Sequence, residues 1–267
     1  MTLLLELPSN RLPALSWVAD IVLRQMLGLP VDIAPRQGTD IVLSAEGRRL
    51  SITSIFPDLM AERSAWHLQM PALPLAEIDT VSAGLHEADI DSPLPVLFGA
   101  PRIEFGQTET RCEIDVLGSV FFMLSRFEEF VLPDRDRHDR FPGNASTAWK
   151  AGFLYRPLVD EYVELLWTMI SRLWPGLARR HRQGSIKVSC DVDQPFDRVG
   201  TNPLALVRSL GGDIAKRHNP ALATRRIMNF FAHRRGNLRF DPYYNFDWYI
   251  DRREAHGPKA PFFSIPH

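Results

Sequence analysis

Between Pro157 and Pro175 the residues Leu158, Tyr162, Leu165, Leu166, Met169, Ile170 and Leu173 recur at the 3.6-residue period of one helix face. A stripe that long has to be buried, so other elements must supply a matching apolar surface. Pro157 suits the first residue of this helix, and Pro175-Gly176 stops it. The matching surface reads as strands. DIVLSA (40–45) and RLSITSIF (49–56) form a hairpin pattern around Glu46-Gly47, and LPVLFG (94–99) and PRIEFG (101–106) read as further short strands. Ser16 to Leu27 carries a mostly apolar helical pattern that Gly28 can end. DVLGSVFFMLSRFEEFVL predicts one helix with Asp115 as N-cap and Leu117, Val120, Phe121, Leu124 and Phe127 on one face. Pro57 to Pro95 reads as irregular. The expected fold class is α/β.

A chain of 267 residues allows one large domain or two ordinary ones. The basic run ARRHRQG (178–184) is short and has no interleaved aromatics, so it reads as a linker. It separates an N-terminal α/β accessory domain, residues 1–180, from a second domain, residues 185–267. With 31 basic against 32 acidic side chains, no net field favours nucleic acid or an anionic membrane surface, and neither is an expected partner. No run of about 18 apolar residues is present to span a bilayer. The first residues lack a basic n-region, and Glu6 interrupts their apolar run, so they do not read as a signal peptide. Two cysteines, Cys112 and Cys190, are too few for a secreted disulfide scaffold; the expected compartment is the cytoplasm. PDRDRHDRFPG carries three aspartates, but Asp139 stands where a calcium loop needs Gly and Ala145 where it needs Glu, so it reads as a solvated loop.

The second domain opens on SIKVSCDVD, in which Ile186, Val188, Cys190 and Val192 alternate with Ser185, Lys187, Ser189, Asp191 and Asp193. Period two puts Asp191 and Asp193 on one side of an extended chain. Gln194-Pro195 ends the strand, so both carboxylates fall at its C-terminal mouth, the rim where barrels and open α/β sheets build their chemistry. Three readings of the pair stand. Asp191 can cap a turn while Asp193 forms an Asx-turn before Pro195. The two can serve a metal-dependent hydrolase, or a sugar-nucleotide glycosyltransferase whose metal bridges a diphosphate. Like charges this close are costly unless a cation or proton lies between them. Farther on, apolar pieces fall at Ala205–Leu210 and Ile227–Phe231, FDWYIDRREAHG (246–257) reads as a helix, and APFFSIP (260–266) as a second core strand.

VSCDVDQPFDRVG resembles the first motif of the polysaccharide deacetylases, metal-dependent carbohydrate esterases of the chitooligosaccharide-deacetylase type. It is most similar to the branch reading Ser/Thr-His-Asp-Val-Asp before Pro. DVLGSVFFMLSRFEEFVLPDRDRHDRFP and GFLYRPLVDEYVELLW resemble the uncharacterised N-terminal domain that precedes the barrel in that branch, so the likeness is clearest over residues 114–198. The resemblance implies that the second domain begins a partial (β/α) barrel. It makes Asp191 the catalytic base and Asp193 the metal-binding aspartate. The implied cofactor is a divalent metal such as zinc, and the implied partner is an acetylated amino sugar or polysaccharide. Two departures stand out. Cys190 replaces the usual His, and alternation turns it away from the aspartates. The eight histidines offer no His-x-x-x-His pair to complete a metal site. The expectation is therefore a truncated deacetylase-like chain without activity of its own. Its alternative is a non-catalytic module in polysaccharide biosynthesis that offers Phe262, Phe263 and Ile265 to a partner.

Overall fold

The computed structural model describes residues 1–58, 62–86, 88–181, 189–192, 195–256 and 262–264. It divides the chain into two compact units, Met1–Arg182 and Gln183–His267.

The first unit is built on a six-stranded mixed sheet in the order β2-β1-β3-β4-β8-β7. β1 (Leu3–Pro8) pairs in parallel with β2 (Val31–Arg36) and antiparallel with β3 (Ile41–Ala45). β3 and β4 (Arg48–Ile52) form the expected hairpin, turning at Glu46 and Gly47 with φ of 50° and 72°. That left-handed pair is the backbone of a tight two-residue turn, which explains why glycine follows Glu46. The stretch expected to be irregular contains β5 (Ala76–Ile78), paired with β6 (Leu94–Val96) in a separate two-stranded sheet. The strand expected over 94–99 therefore stops early, and β7 (Gly99–Phe105) runs antiparallel to β8 (Glu109–Ile114). Gly99 has φ of 93°, and a Cβ there would lie 2.1 Å from the Glu113 carbonyl oxygen, so only glycine fits.

Helices complete the core. α1 (Leu12–Ala19) continues as a wider π-helical stretch over Asp20–Met26. The helix expected over Asp115–Leu132 is two: α2 (Val116–Leu124) and α3 (Phe127–Val131). They break at Arg126, whose φ of 53° is left-handed and cannot continue a helix. The buried face shifts accordingly: Val116, Leu117, Val120 and Phe122 are inside, whereas Leu124 is exposed. After α4 (Thr147–Lys150), α5 (Leu158–Leu173) buries all seven residues of its expected stripe and packs on α2, β4 and β8.

Asp115 fixes the join between sheet and helix. It is fully buried, and its carboxylate accepts from Gly118 N at 2.9 Å, as an N-cap should, and from Ile55 N and Phe56 N at 2.7 and 2.8 Å. Around it Phe56 stacks on Phe98, centroids 4.4 Å apart, and meets Phe127 edge-on at 4.8 Å. Burial pushes the Asp115 carboxyl up to about 6, against the pull of the three amides. Cys112 is likewise sealed in this core, where burial pushes its thiol up to about 12 and leaves it unreactive.

In the second unit, β9 (Cys190–Val192) and β10 (Phe262–Ser264) form a parallel pair with Asp191 opposite Phe263. The connection runs through α6 (Pro203–Ala215), α7 (Pro220–His233) and α8 (Phe246–His256), the long crossover that a parallel pair needs. Asn202 and Asn219, each followed by Pro, cap α6 and α7 by accepting from backbone amides. Among the described residues no helix is long and apolar enough to cross a membrane.

Candidate functional site

Of the two aspartates singled out by the sequence, Asp191 lies in the middle of β9 and is exposed. Asp193 lies outside the described residues, as does Gln194. Ser185–Val188, expected to begin the strand, also lie outside them, as do Ile265 and the terminal His267. The parallel pairing of β9 with β10 places Asp191 on an α/β-type strand pair. An exposed carboxylate there can accept a proton from water or take part in binding a cation.

What holds the chain just beyond this rim is a buried ionic cluster that sequence reasoning missed. Asp197, four residues after Asp193, is 6% exposed and ion-paired to Arg226 Nη1. Arg226 Nε also donates to Asp213 Oδ2 at 2.7 Å, and Arg217 Nη1 donates to Asp213 Oδ1 at 2.6 Å. Asp213 is fully buried on α6, so Arg226 on α7 ties α6 to the segment following β9. Asp241, 1% exposed, closes the cluster: its carboxylate accepts from Asp197 N at 3.1 Å, Tyr243 N at 2.9 Å and Asn229 Nδ2 at 3.4 Å. The Asp197 side chain also accepts from Val199 N and caps the following single 3-10 turn. Three buried carboxylates persist here because each is hydrogen-bonded and two are charge-paired.

Aromatic rings surround the same segment. Phe196 stacks on Tyr244 with centroids 6.4 Å apart and planes 9° off parallel, and lies 6.1 Å from the His233 ring. Beside Tyr244 an open cavity of about 610 Å³ is lined by Gly236, Asn237, Leu238, Arg239, Tyr244 and Asp247. The signal that could have exposed this cluster is the pair of Asn-Pro caps, which delimit α6 and α7. The ion pairs themselves leave no such trace, because charges on a helix ordinarily mark its solvated face.

Among the described residues no group of three or more His, Cys, Asp and Glu could hold a divalent metal. Asp197, Asp213 and Asp241 are already committed to arginines and amides. The described residues thus do not by themselves fit a zinc centre.

The two units define a mixed α/β protein. Residues 3–175 match the family of unknown function DUF7033, and the chain belongs to that family. The match falls wholly within the first unit. No curated protein and no solved structure matches the chain significantly.

Proposed function

We propose that this chain is part of a polysaccharide-deacetylase-like protein of the cytoplasm, directed at N-acetyl or, less often, O-acetyl groups on an amino sugar or polysaccharide, and that it is inactive by itself because its eight histidines offer no His-x-x-x-His pair to complete a metal site. Asp191 is its base, accepting a proton as water attacks the acetyl carbonyl, and Asp193 is the carboxylate assigned to a divalent metal, zinc by resemblance. The observation that carries the reading is the exposed Asp191 on a short strand whose parallel neighbour is reached through three helices. Parallel strands joined through helices are the architecture on which such carboxylates do chemistry. The motif VSCDVDQPF supplies the chemical identity.

A second reading, a non-catalytic module in polysaccharide biosynthesis, is supported by the commitment of Asp197, Asp213 and Asp241 to arginines and amides. Mass spectrometry of N-acetylated chito-oligosaccharides incubated with zinc and the chain extended by the histidine-bearing part of a deacetylase barrel separates the two. Stepwise loss of acetyl groups is the result expected of a deacetylase. Unchanged masses with saturable binding by calorimetry would transfer the assignment to the module. Neither turnover nor binding would remove both.

A further inference from the structure

We infer that the first unit carries a binding platform for an acidic glycan, built where a single 3-10 segment, Arg63–Gln69, meets α3. The inference goes beyond the deacetylase reading and involves neither Asp191 nor the second unit. An open cavity of about 400 Å³ lies there, lined by Arg63, Ser64, Trp66, His67, Phe130 and Val131.

The rings are set from below. Trp66 lies 6.0 Å from Phe127, which is buried in the Phe56 cluster, so the indole rests on the core rather than on a loose loop. Phe130, one helical turn farther along α3, is 6.0 Å from Trp66 at 45° and is 60% exposed. A phenyl ring left that open costs hydration and contributes little to packing. Two tilted rings at this spacing offer flat, electron-rich faces on which the C–H face of a pyranose can lie.

Charge selects among sugars. The Arg63 guanidinium stands 5.7 Å from the Trp66 centroid and 5.4 Å from that of Phe130, held over both rings by cation–π attraction. Among the described residues no carboxylate lies within ion-pair distance of it, whereas Arg24, Arg102, Arg126 and Arg140 all have acidic partners. A pre-oriented planar fork without an acidic partner matches a carboxylate bidentately. A sugar stacked on Phe130 that carries a carboxylate meets both features at once, which points to a glycan containing uronic acid.

Isothermal calorimetry on the full chain tests this with a hyaluronan hexasaccharide, alternating glucuronate and N-acetylglucosamine, and with neutral chitohexaose. Saturable binding of the acidic hexasaccharide is expected, weakened at least about tenfold by Phe130→Ala and by Arg63→Met. Arg63→Met should also abolish the preference over chitohexaose. Both side chains are exposed, so thermal unfolding should be unchanged. Asp191→Asn should bind as the wild type does, so a failed deacetylase assignment would leave this result intact. Absence of binding, equal binding of the two hexasaccharides, or affinities unaffected by either platform substitution would each overturn the proposal.

Discussion

Arg226→Met is expected to unfold the second unit while leaving the first intact. Arg226 is the shared cation of Asp197 and Asp213, and both carboxylates are buried, Asp213 completely. A buried ion pair adds little net stability compared with an apolar replacement, but removing one partner strands the other without compensation. Here one substitution deprives two carboxylates at once, although Arg217 still reaches Asp213. The expected loss is about 3–5 kcal/mol, enough to consume most of the stability of a unit this small. Hydrogen exchange read by mass spectrometry resolves the two units. Peptides from Asp197 to His233 should lose protection, and peptides from β1 to β4 should not. Adding Asp197→Asn to Arg226→Met should recover part of the loss, because it removes one stranded charge. Protection unchanged in the single variant would show that the cluster does not hold the unit together.

Asp115→Ala is expected to be the most damaging single truncation in the first unit. Its carboxylate serves three backbone amides that belong to two elements, the chain leaving β4 and the first turn of α2. Each buried donor left without an acceptor costs about 1–3 kcal/mol, so a total of about 4 kcal/mol is expected after partial relaxation. The pH dependence has a defined sign. Burial raises the folded carboxyl from 3.8 to about 6, so between these values the native state binds more protons than the unfolded chain. The contribution of Asp115 is therefore fully present below about pH 4 and is lost as pH rises through about 6, on the order of 3 kcal/mol in all. Urea midpoints of wild type and Asp115→Asn between pH 4 and 7 should reveal this slope in the wild type alone. Parallel curves would mean that the three amides cancel the effect of burial.

Much of the first unit was legible because its signals are local. The α5 stripe is seven residues on one face, and the β3–β4 hairpin announces itself by Glu46-Gly47. β8 was not read, although Thr110, Cys112 and Ile114 alternate with Glu109, Arg111 and Glu113 and are all buried. Small and polar inward residues hid its period of two. β1 escaped because LLLELP lacks clear alternation, and its pairing with β2 lies more than 20 residues away. Nothing in Arg126 itself announces a left-handed residue; across the break between α2 and α3, Phe122 and Phe127 lie with ring centroids 6.2 Å apart, a contact between residues on two different helices. At the candidate site the sequence pointed to Asp191 but not to its foundations. Asp197, Asp213, Arg226 and Asp241 span 45 residues, and only folding brings them together.

The exposed carboxylate on β9 is the centre of the functional account, and the initial rate of acetate release from an N-acetylated oligosaccharide, with zinc present and the chain extended by the histidine-bearing part of a deacetylase barrel, addresses it directly. Wild type, Asp191→Asn and Asp191→Glu should be compared at equal folded fraction. Loss of a general base removes roughly 10²–10⁴ in rate, so Asp191→Asn should fall at least a hundredfold while Asp191→Glu keeps a measurable part. Acetate release by Asp191→Asn at the wild-type rate would contradict the assignment.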